Sequence, residues 1–76
     1  MPLIRKQNRL PAVKKELAAL PSELADPLEE ELSSFSGAEL SAGEHVKLLL
    51  VAGRALRVNF FVDTDGTLWV EGLAVA

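Results

Sequence analysis

Apolar and polar positions form their clearest pattern between Ala55 and Val75, where two apolar runs flank Asp63-Thr64-Asp65-Gly66. The runs read ALRVNFFV and TLWVEGLAV. The residues between them suit a type I turn followed by a glycine in the left-handed region, which makes a hairpin loop with a bulge at Gly66. The sequence therefore predicts an antiparallel β-hairpin in this part of the chain.

The register of the hairpin follows from pairing Asp63 with Thr67. Because side chains alternate along a strand, this pairing places one apolar set on a single face: Val58, Phe60, Val62, Leu68 and Val70. The opposite face carries Arg57, Asn59, Phe61, Thr67, Trp69 and Glu71. A two-residue turn on Asp65-Gly66 would mix the two faces, so we prefer the bulged loop. The predicted cross-strand pairs are Val62–Leu68, Phe61–Trp69, Phe60–Val70 and Asn59–Glu71.

Helical spacing of apolar residues appears twice before the hairpin. Val13, Leu17 and Leu20 predict a short helix that begins at Pro11 and ends before Pro21. A second start signal has Asp26 as N-cap and Pro27 at the first helical position. Its apolar line, Leu28, Leu32 and Phe35, predicts a helix over residues 27–35.

The segment from Ala42 to Arg54 has two interpretations. Ser41 and Glu44 form a capping-box pattern, and the polar and apolar residues separate on a helical wheel, so we favour a third helix over residues 42–54. The nearly continuous apolar run could instead be a strand that turns into the hairpin at Gly53-Arg54. The predicted fold class is α+β, with two or three short N-terminal helices followed by a C-terminal antiparallel hairpin or, in the alternative, a three-stranded meander.

Length and composition predict one small domain over residues 10–76 of the 76-residue chain. The chain has no cysteine, which excludes disulfides and thiolate chemistry and fits a reducing compartment. The first residues lack the apolar segment of a secretory signal, and the longest apolar run is too short to span a bilayer. We therefore expect a soluble cytoplasmic protein without a membrane partner.

Charge is distributed unevenly along the chain. The net charge is −3, yet five positive residues precede the first acid at Glu16: Arg5, Lys6, Arg9, Lys14 and Lys15. With no apolar periodicity in residues 1–9, we expect a flexible basic arm there. Such an arm could bind nucleic acid or an acidic partner, or it could fold back onto the acidic cluster between Glu23 and Glu31.

Candidate catalytic and metal-binding groups are few. His45 is the only histidine and has no partner at a catalytic or metal-ligating spacing. Asp63, Asp65 and Gly66 match the opening of a calcium loop, but the later oxygen ligands are missing and turn formation accounts for all three. Consecutive carboxylates at Glu29–Glu31 point in different directions on a helix. We predict no enzyme activity, no metal and no cofactor.

Phe61 and Trp69 are the most informative pair in the sequence. They are predicted to be cross-strand neighbours, surrounded by Arg57, Asn59 and Glu71, and aromatic anchors with a polar surround are typical of binding hot spots. We interpret these five residues as a partner-binding site. The predicted function is that of a small regulatory protein–protein interaction module, most simply a homodimer formed through the hairpin.

A nucleic-acid-binding regulator is the alternative function. Three helices followed by a hairpin is an element order that resembles a winged-helix domain, a likeness of architecture only. In such a domain the third helix would be HVKLLLVAGR and the wing tip would carry Asp63 and Asp65, and both features disfavour DNA. Nucleic acid would therefore be bound by Arg5, Lys6, Arg9, Lys14 and Lys15, through phosphates and with little sequence preference.

Overall fold

The computed structural model describes residues 1–75, which form a two-layer α+β fold. In chain order its elements are β1 (Lys6–Arg9), α1 (Pro11–Ala19), α2 (Ser22–Ser33), β2 (Gly43–Val51), β3 (Arg54–Val62) and β4 (Thr67–Val75). The strands form one mixed four-stranded sheet in the order β1-β4-β3-β2. Both helices lie on the same side of it, with α1 packed on β4 and α2 on β2. The α+β class and the order of helices before the hairpin are confirmed, with four strands in place of two or three.

The β3–β4 hairpin has the predicted turn and, next to it, the predicted register. Gly66 has φ +90°, and the Asp63 N–H donates to the Thr67 carbonyl over 2.8 Å. Val62 pairs with Leu68, Phe61 with Trp69 and Phe60 with Val70, as expected. Beyond them a bulge shifts the ladder, so that Asn59 pairs with Gly72 and not with Glu71.

The Asp65 carboxylate stabilises this turn locally. Its Oδ1 accepts a hydrogen bond of 2.9 Å from the Thr67 backbone N–H. That bond holds the pKa of Asp65 below its ordinary value, because it favours the ionised carboxyl. Turn formation thus accounts for Asp65 in the calcium-like sequence.

The expected helix over residues 42–54 is wrong, because this segment is strand β2. β2 pairs with β3 from Gly43–Val62 to Val51–Arg54, and Ala52 and Gly53 form a two-residue turn with φ of 50° and 78°. Positive φ at both positions defines the type I′ turn that matches strand twist. With a strand here, residues 1–75 contain two helices and not the three that the winged-helix element order requires.

Helix α1 agrees with its prediction, whereas α2 begins earlier than predicted. Pro11 starts α1, and the extended Leu20 ends it. α2 runs from Ser22 to Ser33 with Pro27 inside it, so Asp26 is not its N-cap. Leu24, Leu28 and Leu32 form one buried stripe across the proline. Burial of this stripe outweighs the hydrogen bond that Pro27 cannot make.

The N-terminal residues differ from the expected flexible arm. Ile4 is only 2% exposed, and its N–H donates to the Ala38 carbonyl. Lys6–Arg9 forms β1, which pairs in parallel with Thr67–Val70 of β4. The segment therefore contributes one core side chain and the outermost strand on that side of the sheet.

The hydrophobic core lies between the helices and one face of the sheet. Its sheet side contains the five residues predicted for the apolar face, all buried, together with Leu49, Val51 and Leu56. Its other side contains Ile4, Val13, Leu17, Leu24, Leu28, Leu32 and Phe35. Because both helices cover the same face, the opposite face of the sheet has no layer over it among residues 1–75.

Candidate interaction surface

The open face is the side of the sheet turned away from the helices. Alternation along the strands places a defined set of side chains on it: Lys6 and Asn8 from β1, Glu44, Val46, Leu48 and Leu50 from β2, Ala55, Arg57, Asn59 and Phe61 from β3, and Thr67, Trp69 and Ala74 from β4. Glu71 lies at the bulge and is exposed. All five predicted partner-binding residues thus lie on or at the border of one surface.

The most exposed apolar part of this surface is an aliphatic row on β2. Val46, Leu48 and Leu50 are 67%, 64% and 75% exposed and lie at alternate positions of one strand. Our sequence interpretation missed them because it assigned them to a helix. The alternative strand assignment would have identified them, because alternate residues of a strand lie on the same face of the sheet.

Phe61 and Trp69 form an aromatic pair in the next two strands. They are cross-strand partners, and both are half-buried. In the same row Phe61 pairs with Glu44 of β2, and Trp69 pairs with Asn8 of β1. The aromatic pair therefore has polar residues on both sides in its own row, Glu44 and Asn8, in addition to the predicted Arg57, Asn59 and Glu71 elsewhere on or beside the open face.

Arg57 and Asn59 separate the aliphatic row from the far side of β4. Arg57 lies between Leu48 and Ala74, and Asn59 lies between Val46 and Gly72. Both side chains are exposed. A Cβ atom at Gly72 would lie 3.3 Å from Asn59 Nδ2, so glycine at this position leaves room for the amide. The centre of the open face is thus polar and exposed.

The two edges of the sheet are different. β4 is covered by β1 from Thr67 to Val70. Among residues 1–75, β2 has β3 on one side and no strand on the other. No backbone hydrogen bond outside the ladder with β3 involves residues 43–51 in the described part of the chain. The long free edge is therefore β2, directly beside the aliphatic row.

The five basic residues proposed for nucleic acid are not equivalent. Arg9 Nη1 donates a 2.6 Å hydrogen bond to Glu29 Oε1, and Arg9 Nε and Nη2 each donate a 3.1 Å hydrogen bond to Gln7 Oε1. Arg9 therefore links β1 to α2. Lys6 lies on the open face beside Thr67. The other three, Arg5, Lys14 and Lys15, are exposed, and Lys14 borders a shallow groove with Asn8 and Trp69.

His45 is placed for packing. Its ring stacks on Phe60 at a centroid distance of 5.1 Å, and Nε2 lies 2.7 Å from the Ser41 carbonyl oxygen, to which its N–H donates. Within residues 1–75 no three His, Asp or Glu side chains converge as a metal site would require. No helix in this range is long and apolar enough to cross a membrane.

Comparison of the chain with protein-family models, with curated proteins and with solved structures found no match. The geometry of the open face and of the β2 edge is therefore the basis for the function proposed below.

Proposed function

We propose that this protein is a non-enzymatic interaction module that self-associates through its sheet and binds a macromolecular partner. The observation that carries the proposal is the aliphatic row, in which three large apolar side chains lie on a free edge strand with no covering layer. Exposed apolar patches of this kind mark interaction sites in soluble proteins. An uncovered sheet edge is also a template for pairing with another chain.

The aromatic pair is the proposed anchor for the macromolecular partner. Phe61 and Trp69 offer rigid apolar area, and Arg57, Asn59 and Glu71 supply polar contacts around it. Trp69 is the only tryptophan in the chain, so its fluorescence reports directly on the open face. A blue shift of its emission on complex formation would support this assignment.

Sedimentation velocity over a range of protein concentrations tests self-association. We expect the native protein to gain mass and its melting midpoint to rise as its concentration increases, because association stabilises only the folded chain. Leu48→Lys should shift the equilibrium toward the monomer. Leu3→Lys is the matched control, since Leu3 is 45% exposed but lies outside the open face.

A strictly monomeric native protein at high micromolar concentration, with a melting midpoint independent of concentration, would refute self-association. Equal effects of the two lysine variants would show that the open face is not the surface involved.

Binding of single-stranded nucleic acid is the second candidate, and the groove shared by Asn8, Lys14 and Trp69 favours it. A lysine beside an aromatic ring can contact a phosphate while a base stacks on the ring. Fluorescence anisotropy with labelled single-stranded RNA should then show salt-sensitive binding that Lys14→Glu weakens. Lys15→Glu makes the same charge change outside this groove and is its control. Absence of binding at low salt would exclude this candidate.

A further inference from the structure

The backbone of β2 offers hydrogen bonds at defined positions. The two-residue turn at Ala52-Gly53 closes on the pair Val51–Arg54, which is hydrogen-bonded in a type I′ hairpin. Hydrogen-bonded and non-bonded pairs alternate along an antiparallel ladder. The odd-numbered residues of β2 therefore bond to β3, and the even-numbered residues direct their N–H and C=O groups to the free edge: Glu44, Val46, Leu48 and Leu50.

We propose that the occupant of this edge is β2 of a second copy, paired antiparallel about a two-fold axis at Leu48. This inference rests on the self-association proposed above and specifies its geometry. Leu48 then faces its own copy, and Val46 faces Leu50 of the second copy. These are all hydrogen-bonded positions, and they supply about six backbone hydrogen bonds at two per pair. The two sheets become one continuous sheet.

Lys47 disfavours the adjacent register, in which the axis lies at Lys47 itself. It lies on the helix side of β2, with Nζ 5.2 Å from the centroid of the Phe35 ring. An axis at Lys47 would set the two Lys47 ammonium groups directly opposite each other, which is destabilising, and would set Glu44 opposite Leu50. Moving the axis to Leu48 places Lys47 opposite Leu49. An axis at Val46 would pair Lys47 with His45 and Glu44 with Leu48. That register is disfavoured, because it sets a carboxylate opposite Leu48 in place of an apolar side chain.

Pairing at the edge is favoured over stacking of two open faces. Stacking would bury Arg57 and Asn59, which lie exposed at the centre of the face, and removing a charge from water is costly even when it is paired. Pairing at the edge leaves both in water. It also joins the two aliphatic rows across the seam, where side chains of opposed residues come into contact. A seam formed by a single strand from each copy is small compared with standard protein–protein interfaces, so we expect a reversible dimer.

Single cysteines test the register directly, because the native chain has none. Facing hydrogen-bonded residues have Cα atoms about 5.5 Å apart, within the range that a disulfide can bridge. Under mild oxidation Leu48→Cys should form a covalent dimer. Val46→Cys alone and Leu50→Cys alone should not, but an equimolar mixture of these two variants should cross-link.

Each other outcome has a defined meaning. Cross-linking of a Val46→Cys and Leu48→Cys mixture in preference to Leu48→Cys alone would place the axis at Lys47 and overturn the proposed register. A native dimer in which none of these variants cross-links would overturn edge pairing but leave self-association intact. A native protein that remains monomeric would overturn both.

Leu48→Pro provides a second measurement that does not depend on disulfide formation. The Leu48 N–H, which proline lacks, points to the free edge, so the intramolecular ladder with β3 is retained. Proline is tolerated at such edge positions. We expect a folded monomer by circular dichroism and sedimentation. A folded Leu48→Pro dimer as stable as the native one would refute edge pairing.

Discussion

Replacement of Gly66 by alanine tests how the turn and the N-terminal segment depend on each other. Gly66 has φ +90°, and a Cβ atom added there would collide with the backbone carbonyl oxygen of Leu3. The Arg5 N–H donates to the Gly66 carbonyl over 2.9 Å. Because Leu3 and Arg5 flank the buried Ile4, relief of the collision must displace a core residue.

The expected loss follows from these contacts. The left-handed conformation of a residue with a Cβ costs about 1–2 kcal/mol, and a lost backbone hydrogen bond costs about 1 kcal/mol. Exposure of Ile4 adds up to about 2–3 kcal/mol, depending on how far the segment moves. We therefore expect Gly66→Ala to lower the free energy of unfolding by about 3–5 kcal/mol.

Urea unfolding measured by circular dichroism provides the assay, with Gly37→Ala as the matched control. Gly37 has φ +83°, but a Cβ atom there would meet nothing within 4 Å. This control should lose only the conformational part, about 1–2 kcal/mol. Equal losses in the two variants would show that the contact with Leu3 has no energetic weight and would refute the reasoning.

Three substitutions and one deletion test three further expectations. Ala52→Asn should raise the urea midpoint by the equivalent of about 0.5–1 kcal/mol, because asparagine tolerates positive φ better than alanine; an unchanged midpoint would mean that Ala52 is not strained. Phe60→Ala should cost about 3–5 kcal/mol as a core truncation, whereas Phe61→Ala should cost distinctly less under monomeric conditions; similar losses would contradict the open face. Deletion of residues 1–9 should strongly lower the melting temperature, since it removes Ile4 and β1. An unchanged melting temperature would support the original expectation of a flexible arm.

The hairpin could be predicted from sequence because its information is local. The turn residues fix the loop type, and the alternation from Val58 to Val70 has a single register that separates apolar from polar side chains. The same alternation placed Phe61 and Trp69 on one surface. The bulge at Glu71 was not predicted, because it depends on a contact between two strands and not on the turn residues. At the bulge, Asn59 packs closely against Gly72.

The remaining elements depend on contacts between distant parts of the chain. The sequence at Asp26-Pro27 is a strong helix start signal, yet α2 begins earlier because burial of Leu24 extends its apolar stripe by one turn. β1 has a polar sequence, KQNR, and is a strand only because β4 presents an edge to it. The apolar run after Glu44 fits both a helix and a strand, and it is a strand because it pairs with β3. With β2 misassigned, the aliphatic row could not be identified.

The parallel pairing of β1 with β4 also constrains the order in which the protein can fold. Lys6 is made before the other three strands of the sheet, but its partner Thr67 follows only after both helices and two further strands. Both helices and the β2–β3 hairpin can form earlier, whereas β1 has no edge to join until β4 has been made. Contacts of such long sequence separation form slowly. We therefore expect β1 to enter the sheet last, with amide protection during refolding appearing later at Gln7–Arg9 than in the two hairpins.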